Sequence, residues 1–170
     1  MAKKLLASVI AFALCLFVSA ADMVVKGKNG EGWKIVDQSE TFLRFKILSD
    51  STVELTKESS YRNHDSITIP EKVRIGGKVY TVTSIGYFAF KECSSLTSIK
   101  IPKSVTSIGS YAFRGCSSLT SINIPDGVTS IGEEAFGGCY NLDIVIDNSE
   151  NNVKVEIFAF DGCKSVKFLK

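Results

Sequence analysis

Apolar and polar positions recur along the second half of this chain with a period too long for any single helix or strand. From Val82 the sequence reads VTSIGYFAFKECSSLTSIKIPKS, then VTSIGSYAFRGCSSLTSINIPDG, then VTSIGEEAFGGCYNLDIVIDNSEN, then NVKVEIFAFDGCKSVKFLK. Superposed, Phe90, Phe113, Phe136 and Phe160 share one position, and Cys93, Cys116, Cys139 and Cys163 another, in steps of 23, 23 and 24 residues. Such a period is the mark of a solenoid in which each unit buries its apolar side against its neighbours. One unit alone buries too little to offset the entropy of ordering it, so stability must come from stacking.

Within a unit, three local patterns predict three elements. Leu96, Ile99 and Ile101 alternate with Ser98 and Lys100, which predicts a strand with Thr97, Ser98 and Lys100 outward. Pro102 lacks an N–H and ends it. Val105 and Ile108 point inward, and Gly109 allows a corner. The segment from Ser110 to Cys116 is too short for a mature helix and predicts one turn of α- or 3₁₀-helix. The fold class expected is therefore an α/β repeat, one strand and one short helical turn per unit. The cysteines stand three residues before an apolar position (Leu96, Leu119, Leu142, Val166), so the last unit's strand is expected to reach Lys170 at the place of Lys100.

Upstream, Trp33–Val36 predicts a short strand after the polar segment 26–32, and Phe42–Leu48 alternates against Thr52–Thr56 across an Asp50-Ser51 turn. This β-hairpin is expected to cap the N-terminal end of the array. Ser66-Ile67-Thr68-Ile69-Pro70 aligns with Ser98-Ile99-Lys100-Ile101-Pro102 as a degenerate first unit, from which a hairpin with a Gly76-Gly77 turn projects. The expected organisation is 1–20 signal peptide, 21–60 lead-in and cap, and 61–170 repeats. The units are 61–81, 82–104, 105–127, 128–151 and a truncated 152–170.

Export follows from residues 1–20. A basic start (Lys3, Lys4), an apolar run from Leu5 to Val18 and the small residues Ser19-Ala20 have the layout of a secretory signal. The run is short beside the roughly 20 residues that span a bilayer, so no membrane insertion is expected after cleavage. Leu14 precedes Cys15 where lipid attachment requires a small residue. Localisation is then secreted, cell-surface or periplasmic. Without Lys3 and Lys4 the 20 basic residues become 18, equal to the 18 acidic ones, and no basic face points to nucleic acid. Four cysteines in an exported chain would ordinarily pair, but ladder neighbours point in parallel directions, which favours buried thiols. The single histidine, His64, has no partner cluster, CxxC spacing is absent, and no phosphate-cradling motif occurs, so neither an enzyme nor a cofactor or metal is expected.

The LxxIxIP strand, the VTSIG corner and the AFxxC element together resemble the BspA-like, treponemal type of bacterial leucine-rich repeat over residues 61–170. Ser104 and Gly127 stand where the commonest leucine-rich pattern has Asn or Cys, so no asparagine ladder is expected. The resemblance implies a leucine-rich-repeat solenoid, secreted or on the cell surface, that binds other proteins, as adhesins to extracellular-matrix proteins or neighbouring cells do. Its ligand surface is expected on a concave strand face formed by Thr97, Ser98, Lys100, Thr120, Ser121, Asn123 and Val145. A glycan is the alternative ligand. Self-association through Phe168 and Leu169 of the uncapped last unit is a further alternative.

Overall fold

The computed structural model describes residues 33–36 and 42–170. The expected signal peptide and most of the lead-in lie outside the described residues.

Two sets of strands run through the repeats. The first is an eight-stranded sheet that begins antiparallel, β1 (Trp33–Val36) on β2 (Phe42–Ile47) on β3 (Thr52–Thr56). From β3 onward its main path is parallel, through β6 (Lys78–Ile85), β8 (Ser107–Ile108), β10 (Ser130–Ile131) and β12 (Lys154–Val155). Leu55, Ile85, Ile108, Ile131 and Val155 follow one another across the rungs. Thus β3 is more than the second arm of a hairpin, since it pairs parallel with the VTSIG strand of the next unit. The Gly76-Gly77 hairpin joins β5 (Lys72–Ile75) to β6, with φ of 58° and 87° at the glycines. It does not simply project, because Val73 and Ile75 are buried.

The second set is formed by the LxxIxIP strands. It comprises β4 (Ser66–Thr68) paired with β7 (Ser98–Lys100), and a separate sheet of β9 (Ser121–Ile124), β11 (Asp143–Ile146) and β13 (Ser165–Phe168). The apolar alternates of both sets meet in one core that runs the length of the array.

The AFxxC segments are not helical turns. In unit 82–104 the N–H groups of Ala89, Lys91 and Cys93 donate three residues back, at 3.2, 3.1 and 3.1 Å. The intervening N–H groups of Phe88, Phe90 and Glu92 donate instead to Ser110, Ala112 and Arg114 of the next unit, at 3.2, 2.7 and 2.7 Å. Beyond its first turn a helix spends its donors on itself, whereas this run of tight turns gives alternate ones to its neighbour. Turning them outward takes left-handed backbone at every fourth residue, φ 57° at Phe88 and 60° at Glu92. Gly115, Gly138 and Gly162 occupy the place of Glu92 in later units, each near 73°. The described residues are therefore strands and turns, with short 3₁₀ segments at Ser59–Asn63 and Glu150–Asn152.

The turn runs stack a column of rings. Tyr61, Phe90, Phe113 and Phe136 follow at centroid spacings of 5.0, 5.1 and 5.1 Å, and Phe160 at 6.0 Å. Tyr61 starts the column in the degenerate unit, its hydroxyl accepting the Arg44 N–H at 2.8 Å. Beside the column all four cysteines are free thiols, and Cys163 alone is only half buried. Cys116, Cys139 and Cys163 donate to the carbonyls of Phe90, Phe113 and Phe136 in the preceding unit, at 3.2, 3.1 and 3.4 Å.

The last unit departs from its expected register. Val166 pairs with Ile144 and Lys167 with Val145, so Val166 takes the place of Ile99 rather than Leu96. The link from cysteine to strand is shorter here: Lys164 and Ser165 already donate to Leu142 O. Lys167, not Lys170, is the equivalent of Lys100.

Candidate binding surface

Strand alternation places one side of each LxxIxIP strand in the core and the other in solvent. Ile99, Ile122 and Ile144 are buried, while Thr97, Ser98, Lys100, Thr120, Ser121 and Asn123 are exposed. Val145 is half buried on the same outward side, level with Asn123. Across the rungs the outward residues form two rows. Ser66 stands beside Ser98, and Ser121 beside Asp143 and Ser165; Thr68 stands beside Lys100, and Asn123 beside Val145 and Lys167. The rows are interrupted between β7 and β9, where the two sheets part.

Several members are held by their neighbours. Thr97 Oγ1 donates to Asp65 O at 2.9 Å. The Asp143 carboxylate accepts from Lys164 Nζ and Ser165 Oγ, both at 2.6 Å. The Lys164 ammonium and the Ser165 hydroxyl hold that carboxyl below the usual carboxylate range. Ser98, Ser121 and Asn123 are short and level, and Lys100 and Lys167 add positive charge at either side. Small hydroxyls and amides on a rigid sheet suit many weak polar contacts over an extended partner, rather than one deep anchor.

Reading the sequence by distance from the cysteine missed Asp143, Ser165 and Lys167 as members of these rows. A signal was present, since Ser165-Val166-Lys167 repeats the pattern of Ser98-Ile99-Lys100. The remaining chemistry is sparse. His64 is half buried at the end of the first 3₁₀ segment, its N–H on Tyr61 O at 3.3 Å. Among the described residues no group of three or more His, Cys, Asp or Glu side chains is placed to hold a metal. Burial pushes the Cys93 thiol up to about 11 and the Cys163 thiol up to about 12, away from the thiolate a nucleophile needs. No described helix is long and apolar enough to cross a membrane.

Comparison with known proteins agrees with this architecture. The profile of the BspA-type leucine-rich repeat region matches residues 57–170, in six copies. Among solved structures, a leucine-rich repeat protein from Bacteroides ovatus is 38% identical with a TM-score of 0.64, over 72% of this chain. This chain spans only 32% of that protein's length. A leucine-rich repeat protein from Bacteroides capillosus is 27% identical with a TM-score of 0.66, over 88% of this chain and all of its own. A leucine-rich cell-surface protein from Faecalibacterium prausnitzii is 26% identical with a TM-score of 0.59, over 89% of this chain and 44% of its own. No curated protein matches. The family is an interaction fold rather than a known family of enzymes. With its profile matched over more than half of the chain, and its repeat stacked in register through the structure, this protein belongs to the BspA-type leucine-rich repeat family.

Proposed function

We infer that this chain is an exported, surface-displayed adhesin that binds a protein of the extracellular matrix or of a neighbouring cell. Residues 1–20 serve as its export signal, and β1 and β2 close the N-terminal end of the array. The ligand surface is the outward side of β7, β9, β11 and β13. One observation carries this reading: short polar side chains lie level and exposed on a rigid strand surface that the core does not need. The cell-surface relative from Faecalibacterium prausnitzii supports the location. The test is biolayer interferometry of the purified protein against a panel of immobilised extracellular-matrix proteins. A variant carrying Ser98→Glu, Lys100→Glu, Ser121→Glu and Asn123→Glu runs beside it. Binding to at least one panel member, lost in the variant while its melting temperature holds, is expected. Binding kept in the variant would reject the surface, and no binding at all would reject the adhesin.

A second reading is self-association, favoured by exposed apolar side chains in unit 152–170; of Phe168 and Leu169, only Leu169 is among them, since Phe168 is half buried against the core. Ile157, Phe158 and Leu169 are 59%, 62% and 51% exposed. Replacing Ile157 and Phe158 by Glu reproduces the Glu133-Glu134 pair of the preceding unit. In this reading mass rises with concentration in the wild type and stays monomeric in the double variant, as sedimentation would show.

A further inference from the structure

Away from the outward strands, the turn runs of successive units flank a groove of about 500 Å³. Its floor is Gly115, Gly137 and Gly138, and its walls carry Lys91, Arg114, Glu134, Tyr140 and Asp161. None of the outward strand residues lines it.

Two of its residues break the repeat. The position after the column phenylalanine is Lys91, Arg114, Gly137 and Asp161 in successive units, and the position after the cysteine is Ser94, Ser117, Tyr140 and Lys164. Neither departure is imposed by the backbone. Gly137, unlike Gly138, has no left-handed backbone, and the nearest atoms to a Cβ built on it all belong to Glu134, at 3.1 Å and beyond. A side chain there would fill the groove, not break the chain. Tyr140 is 72% exposed and lies outside the core. Its ring is laid on the next unit, where a Cβ on Gly162 would come within 2.9 Å of Cε1. Resting on the next unit, the ring already presents an open face to a ligand, which lowers the entropy cost of binding.

The charges narrow the ligand. Arg114 faces Glu134 at 3.2 Å, and Lys91 lies 3.9 Å from Glu92 at the rim, so much of the charge is neutralised within the groove and an anion gains little. Asp161 has no ion partner among the described residues, and its carboxylate is exposed. A peptide strand has nothing to pair with here, because Gly115 and Gly138 spend their N–H groups on Gly137 O and Asp161 O at 2.9 Å. What remains is an aromatic face beside paired donors and acceptors. That combination fits a molecule with an apolar C–H face and a rim of hydroxyls. We propose that the groove binds a neutral saccharide ring against Tyr140, its hydroxyls bonded by Arg114, Glu134 and Asp161. This site is separate from the strand surface and does not depend on it.

The experiment is an array of neutral hexose and N-acetylhexosamine oligomers, with sialylated and sulfated counterparts and extended peptides as the other arms. Tyr140→Ser and Gly137→Arg restore the residues found at Ser117 and Arg114, so both variants keep the repeat pattern, and their melting temperature is expected to hold. Binding of a neutral oligomer, reduced at least tenfold in each variant and unchanged in the fourfold strand variant, is expected. A protein that binds no neutral oligomer overturns the proposal. So does binding that survives both groove substitutions, or groove variants that lose only a sulfated, sialylated or peptide ligand.

Discussion

At the scale of single residues, close stacking depends on places where no side chain fits. Gly109 is such a place: a Cβ there would stand 2.9 Å from Gly86 C and Tyr87 N, backbone atoms with no room to move. Gly109→Ala is expected to cost about 1–3 kcal/mol, as overpacking does, read as a lower urea midpoint at unchanged slope. The last unit shows what happens without the glycine. Glu156 donates to Ile131 O as Gly132 does to Ile108 O, and there the ring spacing widens to 6.0 Å. Glu92 presents the opposite case, a side chain on left-handed backbone where later units have glycine. Its ion pair with Arg62, at 2.7 Å, is exposed and worth little. Relief of the left-handed strain outweighs the added freedom of glycine in the unfolded chain, so Glu92→Gly is expected to stabilise by about 0.5–1 kcal/mol in the same titration.

At the scale of elements, the ring column is the common thread. Phe113 has a ring stacked on either side at 5.1 Å, whereas Phe160 has one at 6.0 Å and is only half buried. Phe113→Ala should therefore cost about 3–5 kcal/mol, the range for a buried aromatic, and Phe160→Ala clearly less. Equal losses from chemical denaturation would contradict the column. The column, the thiols and the strand alternation were legible because they depend on spacing alone. The turn run was not. A short segment with Gly two residues after Phe reads as a frayed helical turn, and only stacking shows that alternate N–H groups leave for the next unit. The parallel pairing of β3 was hidden for a similar reason, since Val53-Glu-Leu55 lacks the Ser-Ile-Gly ending that marks the rungs at β6, β8 and β10. Of the candidate surface, the residues of β7 and β9 could be read directly. Ser165 and Lys167 could not, because the shortened link after Cys163 shifts the final strand, and Asp143 could not, because it stands one residue nearer its cysteine than Ser98 and Ser121 do to theirs. Tyr140 is visible in the sequence as a departure from the repeat, but the groove that it and Gly137 line appears only when the units are stacked.

At the scale of the whole molecule, burial is most complete in the middle units and least so in unit 152–170. Cys163 is half buried, whereas Cys93, Cys116 and Cys139 are buried. Mild labelling with a thiol reagent is expected to modify Cys163 first and the other three only with global unfolding. Mass spectrometry of the labelled peptides reads the order. The raised thiols also set a pH dependence. Cys93, at about 11 when folded, ionises more easily in the unfolded chain, near the ordinary 8.5. Its contribution is whole below about pH 8.5 and is lost as pH rises toward 11, so the urea midpoint should fall across that window. A midpoint that rises there would contradict the burial.

The outward strand surface is the centre of the functional account, and hydrogen exchange tests it most directly. Backbone amide exchange would be compared with and without a matrix protein captured from the panel. New protection is expected in residues 97–100, 120–123, 143–146 and 165–168, with the first sheet from β3 to β12 unchanged. Protection confined to that first sheet, to the turn runs or to the hairpin of β5 and β6 would contradict it.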